Sequence, residues 1–206
     1  MEKTTLVKIY AVALVIAIFI TGIKPVSRTI WFLETVLIFL VAITLISTYN
    51  KFQFSKTAYT LIFIYLILGT IGAHYTYEKV PIENLKEIIG TQRNPHDRIL
   101  HFSFGLFLYY PLLEFFIRTS KVKHKAWMYF VPLIVIAGCG AIYEICEWAV
   151  AVNINPQNAE AFLGMQGDIW DAQKDMLLNT LGAALTMVVT IMSRIVKTGS
   201  IEPTFN

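Results

Sequence analysis

Seven of the chain's fourteen carboxylates, Glu78, Asp97, Glu144, Glu147, Asp168, Asp171 and Asp175, lie at the edges of apolar segments, and their spacing is helical. Asp97 and His101 are four residues apart and Glu144 and Glu147 three apart, so each pair shares one helix face. Asp168, Asp171 and Asp175 form a stripe if their stretch is helical, with Asp168 as N-cap after Gly167 and Asn179 extending the stripe a turn further. Carboxylate and imidazole side chains at this spacing recur in metal sites of helical bundles. Mixed oxygen and nitrogen ligands suit zinc, manganese or iron, and an all-oxygen subset suits magnesium or calcium. A metal with an open position would activate water for hydrolysis. Without metal, paired carboxylates in unlike surroundings can do acid–base work.

The expected catalytic groups are Asp97, His101, Glu144, Asp171 and Asp175. The expected metal ligands are His101, Glu144, Glu147, Asp168, Asp171 and Asp175, with His74 beside them. Arg98 is placed to bind an anionic head group or to brace a carboxylate, with Asn179 and Trp148 on the substrate side. Carboxylates that converge near hydrocarbon need partners. Arg98 and Lys174 can neutralise two, and two divalent ions would balance the rest.

Each of these residues also has a plainer reading. The acids can form a water-exposed rim. His74 can be a packing histidine. His96, beside Pro95, reads as a solvated loop residue, and His124 as part of a basic turn with Lys121, Lys123 and Lys125. Glu114, four residues before Arg118, reads as a local ion pair, and Glu34 as a surface acid near a helix end. Cys139 and Cys146, seven residues apart on one helix, lie too far apart for a disulfide and read as packing residues. Gly138, Gly140, Ala141, Gly182, Ala183 and Ala184 let helices approach closely.

The elements that must position these groups follow from hydropathy. The chain is 56% hydrophobic and 15% charged, far less charged than the roughly 25% of a soluble domain, which excludes a soluble globular protein. About 20 apolar residues cross a bilayer. Six such segments are expected, at 6–23, 30–48, 57–77, 98–117, 127–150 and 175–196, giving an all-α polytopic bundle as one transmembrane domain over 1–206. The first reads as a retained helix rather than a signal peptide, because no small-residue cleavage site follows it. Ile82, Leu85, Ile88 and Ile89 suggest a short interfacial helix in the link from Val80 to Pro95. The link from Ala151 to Lys174 carries Asn153, Asn155 and Pro156 as breakers.

Basic residues set the expected orientation. Ten lie on the side of the termini and seven on the other, so both termini are expected in the cytoplasm. All seven acids then gather at the outer ends of the helices. Trp31, Tyr75, Tyr77, Trp148 and Trp170 fall at the same level as an interface belt. The net charge of +3 gives no case for nucleic acid, since the basic residues sit in short loops. The expected partners are membrane lipids, and the oligomeric state is left open. An internal echo pairs Gly72-Ala73-His74-Tyr75 with Gly140-Ala141-Ile142-Tyr143, and Asp97, His101, Gly105 with Asp175, Asn179, Gly182. Two such hairpins would make a parallel repeat.

Three motifs carry a family resemblance. They are Pro95-His96-Asp97-Arg98-Ile99-Leu100-His101-Phe102-Ser103-Phe104-Gly105, then Tyr143-Glu144-Ile145-Cys146-Glu147-Trp148, then Gly167-Asp168-Ile169-Trp170-Asp171-Ala172-Gln173-Lys174-Asp175-Met176 with Asn179. Together they resemble the YjdF-type bacterial inner-membrane proteins, a domain of unknown function. The resemblance implies a six-helix, multi-pass protein of the bacterial inner membrane and brings no activity with it. Asp175, Asn179 and Gly182 are also similar to the head of the last helix in VanZ-like membrane proteins, which are linked to the cell envelope. The function expected from the residues is a membrane-embedded enzyme of the cell envelope, a hydrolase or transferase, with a metal-dependent carboxylate and histidine site at the outer face acting on a lipid or lipid-linked substrate. A proton- or cation-coupled transporter or flippase, and a metal- or lipid-binding module without turnover, are the alternatives.

Overall fold

The structure, a computed structural model, describes residues 1–201. Eight helices hold about three quarters of them: α1 (Lys3–Thr21), α2 (Arg28–Thr48), α3 (Lys56–Tyr75), α4 (Glu83–Ile89), α5 (His96–Thr119), α6 (Lys125–Ala151), α7 (Pro156–Leu163) and α8 (Asp171–Thr198). The six long helices are apolar enough to cross a membrane. At 1.5 Å per residue their 19 to 28 residues give lengths of roughly 28 to 42 Å, enough to span a hydrocarbon layer of about 30 Å. Large apolar side chains such as Phe19, Leu40, Ile142 and Val196 point outward. In water this would be a liability, whereas in a bilayer it is the solvated surface.

The helices alternate between two faces. At one face Thr4 meets Tyr49, Lys56 donates to the Met1 carbonyl, Arg118 to the Gln53 carbonyl and Tyr129 to the Ile201 carbonyl. The start of α1 and the end of α8 therefore share this face, called here the terminal face. The far face carries the links 22–27, 76–95 and 152–170.

Helix ends differ from the hydropathy expectation for local reasons. α1 stops at Thr21 rather than at 23, before Lys24 at φ 51. α3 stops at Tyr75 rather than at 77 because Thr76 and Tyr77 both turn into the left-handed region, at φ 56 and 57. α8 begins at Asp171 rather than Asp175, one polar turn earlier than hydropathy can register. Asp168 is therefore not its N-cap. Gln166 and Gly167, at φ 47 and 84, bend the chain ahead of it, and Trp170 takes the cap position. The second long link is not featureless. Asn155 caps α7 by accepting from the Asn158 N–H at 2.9 Å, and Pro156 sits at its first position. Both residues, expected as breakers, act as helix starters.

α3–α4–α5 and α6–α7–α8 repeat one plan of long helix, short helix, long helix. α5 and α8, the final helices of the two units, cross at a reciprocal contact. A Cβ on Gly105 would stand 1.9 Å from the Asn179 carbonyl oxygen and 2.5 Å from the Ala183 nitrogen. A Cβ on Gly182 would stand 2.1 Å from the Phe102 carbonyl oxygen and 2.8 Å from the Leu106 nitrogen. Positions 105 and 182, 102 and 179, and 106 and 183 are each 77 apart, so the two backbones meet in equivalent registers. That register differs by one residue from the echo of Asp97 with Asp175. Only small residues allow such approach. Below the crossing, towards the terminal face, Tyr109, Leu113, Tyr129, Ile136 and Ala183 form an apolar core. A second core of Leu14, Ile18, Ile38, Ile62 and Leu66 joins α1 and α2 to α3.

Candidate metal centre

The α5–α8 crossing brings the first turns of both helices together at the far face. Their free N–H groups and positive dipole ends favour carboxylates there. Asp97 and Asp171 occupy those first turns, His101 and Asp175 lie one turn deeper, and Asn179 lies one turn deeper again. All five are buried, Asp175 and Asn179 to 2% exposure.

Asp97, His101 and Asp175 each offer one donor atom, and the three atoms lie within 4.8 Å of one another. His101 Nε2 is 3.5 Å from Asp97 Oδ1. Two ligand atoms at ~2.1 Å from a tetrahedral zinc lie roughly 3.4 Å apart, so this edge already has the required length. The other ring nitrogen is braced. His101 Nδ1 lies 3.3 Å from Asn179 Nδ2 and 3.8 Å from Glu144 Oε1, and the ring meets Tyr143 edge to face at 5.7 Å. An amide can serve either imidazole tautomer, presenting NH2 to a bare nitrogen or, turned over, its carbonyl to an N–H. Gly140 leaves room for this amide, since a Cβ there would lie 2.4 Å from Asn179 Nδ2.

Other expected ligands are engaged elsewhere. Arg93 clamps two acids, with Nη2 3.1 Å from Asp97 Oδ2 and 2.7 Å from Asp171 Oδ1. Asp168 is held by Arg98 and by Lys174 Nζ at 2.6 Å, and its Oδ1 accepts from the Trp170 N–H at 3.1 Å. The hydrogen bond from Lys174, followed by those from Trp170 and Arg98, lowers the Asp168 carboxyl to about 2. Arg98 and Lys174 thus converge on Asp168, and Arg98 Nη2 also lies 3.8 Å from Asp171 Oδ1, so the two cations serve two acids between them. Glu78 forms its ion pair with the adjacent Lys79 at 3.7 Å. His74 is not at the site. Its Nδ1 lies 2.7 Å from the Thr21 carbonyl, and its own carbonyl accepts from Val26, so it fastens α3 to the end of α1. Trp148 and Trp170 are exposed, as an interface belt requires.

Three residues stand where the sequence did not place them. His96 is buried in the first turn of α5 rather than solvated. Tyr77 is buried rather than in the belt, and its hydroxyl donates to Glu34 Oε2 at 2.8 Å. Burial, and then the neighbouring Glu34 carboxylate, push the Tyr77 phenol well above its usual range, so it serves as a donor. Glu34 itself, expected at the surface, is 5% exposed and takes a second, longer bond from Tyr143 at 3.4 Å. Its position in an otherwise apolar span was the available signal, since ionisable groups inside spans mark sites by default. Arg93 gave no such signal, being one of several basic loop residues. By contrast, Glu114 and Arg118 pair at 2.7 Å as expected.

The two far-face links close over the centre. Asn94 and Gln166 exchange hydrogen bonds at 2.8 and 3.2 Å, and Arg93 Nη1 donates to the Met165 carbonyl at 2.6 Å. Asn94 also donates to the Val80 carbonyl at 2.7 Å. Gly164 lies against Asp97, where a Cβ would be 3.3 Å from its Oδ2.

Charge does not balance among the groups around the centre. Glu34, Asp97, Glu144, Glu147, Asp168, Asp171 and Asp175 are seven carboxylates, and Arg93, Arg98 and Lys174 are three fixed cations, which leaves an excess of four negative groups. Asp175 Oδ1, Glu144 Oε1 and Asn179 Oδ1 are buried without a hydrogen-bond partner. Unpartnered buried charge costs several kcal/mol per group, so protons or a cation must fill the deficit (roughly, by the Born argument).

A family model described as "Predicted membrane protein (DUF2238)" matches residues 6–195. The inner membrane protein YjdF of Escherichia coli (strain K12) is 33% identical over 187 residues, covering 90% of this chain and 89% of the relative. No solved structure matches.

Proposed function

The chain belongs to the DUF2238 family of membrane proteins and is a multi-pass protein of the bacterial inner membrane, and from that premise we propose that it is a metal-dependent enzyme of the cell envelope acting on a lipid or lipid-linked substrate. The observation that carries this reading is the convergence of Asp97, His101 and Asp175 within 4.8 Å, with Asp175 buried and its Oδ1 without a hydrogen-bond partner among the described residues. Two carboxylates and one imidazole suit zinc, manganese or iron better than calcium or magnesium. Three protein ligands leave a position for water or substrate, the pattern of catalytic rather than structural sites. Glu144 then acts through His101 as the carboxylate behind a ligating imidazole, rather than as a ligand. Arg98, 31% exposed at its side chain, is the cation positioned to meet a phosphate as it approaches from the head-group level.

The bias of basic residues towards the terminal face, ten against seven, favours the outer leaflet for the centre. A carrier needs polar groups through the full depth of the bundle. Here the core below the crossing is Tyr109, Leu113, Tyr129, Ile136 and Ala183, which favours chemistry over transport. The test is lipid analysis of proteoliposomes made from bacterial lipid extract and supplied with zinc or manganese. The wild type is expected to convert one lipid class and Asp97→Asn none. Uptake driven by a pH gradient, with no lipid converted, would replace this reading by coupled transport.

A further inference from the structure

A slot unrelated to the acids runs along the first three helices. α1 and α2 both pack on α3 and scarcely on each other. They are tied at their ends. Thr4 Oγ1 lies 3.3 Å from the Tyr49 hydroxyl at the terminal face, and Trp31 Nε1 donates to Thr21 Oγ1 at 3.5 Å at the far face. Between the ties they part, leaving a cavity of ≈ 330 Å³ in the half nearer the terminal face. That volume falls within the usual range of small-molecule sites.

The slot is apolar along its length and polar at one end. Its floor is Ile62, Phe63 and Leu66 of α3, and its walls are Ala11 and Leu14 of α1 and Ala42 and Leu45 of α2. Tyr10 holds the floor against α1, stacking on Phe63 at 4.3 Å with its hydroxyl 2.9 Å from Thr60 Oγ1. Lys8, Tyr49 and Asn50 form the mouth, and among the described residues no acidic side chain lines the slot. Lys8 makes no ion pair among the described residues.

We propose that this slot holds one acyl chain of an anionic phospholipid from the leaflet on the side of the termini, with its phosphate on Lys8. A slot within the bundle's hydrocarbon zone takes its occupant from the bilayer. An unpaired ammonium with two neutral polar side chains beside it complements a phosphodiester at head-group depth, and the apolar length complements one chain. A helix, about 10 Å across with its side chains, is too broad for a space between two helices tied at both ends. The site shares no residue with the metal centre and stands whether or not that centre binds metal.

Native mass spectrometry of the delipidated protein in mild detergent, titrated with phosphatidylglycerol or phosphatidylcholine, tests it. The wild type is expected to retain one phosphatidylglycerol in preference to phosphatidylcholine by ~10-fold, the worth of one charge-assisted contact. Lys8→Gln, at an exposed position, should erase that preference, and Ala42→Phe should prevent retention of either lipid. Metal content should be the same in both variants. Equal retention of the two lipids by the wild type, or an unchanged preference in Lys8→Gln, overturns the proposal. So does retention by a folded Ala42→Phe protein, or a dimer in place of a lipid adduct. Should Ala42→Phe not fold, Lys8→Gln alone decides.

Discussion

Asn179 on α8 meets His101 on α5 across the helix crossing, Nδ2 to Nδ1 at 3.3 Å. The contact exists because Gly105 and Gly182 let the two backbones touch, and because Gly140 on α6 leaves space for the amide. Fixing one ring nitrogen aims the other at Asp97, so this pair sets the orientation of the only imidazole among the three converging donors. Asn179→Ala should therefore weaken metal binding by ~10–100-fold while leaving all three ligands in place. Competition against a chelating dye measures it, and an unchanged affinity would show that the amide does not orient His101.

The crossing itself is the second point of leverage. Gly105→Val places a side chain on the Asn179 carbonyl and the Ala183 nitrogen, both backbone atoms that cannot swing aside. The expected loss of stability is ~3 kcal/mol or more, at or above the upper end of overpacking costs. Thermal unfolding followed by circular dichroism should show a markedly lower midpoint than for Gly138→Ala, whose added Cβ meets nothing within 4 Å. Similar midpoints for the two variants would refute the close packing.

Arg93 holds Asp97 and Asp171 together with its side chain 10% exposed. Arg93→Met strands two buried carboxylates and should destabilise the fold by ~3–5 kcal/mol. Adding Asp171→Asn should recover a large part of that loss. If the double variant is as unstable as the sum of the single changes, the clamp is not an energetic unit.

Asp168 offers a check by pH. Its folded carboxyl is lowered to about 2 from an ordinary 3.8, so its ion pairs add stability that is complete above the ordinary value. That contribution disappears as pH falls through about 2. Carboxyl carbon shifts in aspartate-labelled protein should place the Asp168 midpoint near 2, and Lys174→Ala should raise it. A midpoint in the ordinary carboxylate range would mean that the contacts with Lys174 and Arg98 do not persist in solution.

Six spans and the helical class were legible in hydropathy, because the bilayer imposes one length and one polarity on every crossing. What hydropathy could not register were the polar helical turns. α8 starts at Asp171, and α7 exists because Asn155 caps it and Pro156 begins it, both signals that also read as loop. Among site residues, Asp97 with His101 and Asp175 with Asn179 were visible as four-residue spacings. That Asp97, His101 and Asp175 meet depended on the α5–α8 register, which Gly105 and Gly182 set; Gly182 was legible as a close-approach residue, but the helix it would meet was not. Arg93 was hidden because nothing local separates a loop arginine that folds inward from one that stays in solvent. Glu34 was misjudged because its partner Tyr77 lies 43 positions away, after a left-handed turn that no pattern signals.

The proposed chemistry turns on a cation held by Asp97, His101 and Asp175. Elemental mass spectrometry on protein purified in mild detergent without chelator, comparing the wild type with Asp175→Asn, addresses it most directly. Close to one zinc, manganese or iron per wild-type chain is expected, with its loss in Asp175→Asn, which keeps shape and removes one charge. Absence of metal from the wild type after incubation with each ion, or equal metal in both proteins, would contradict it and leave protons to balance the carboxylates.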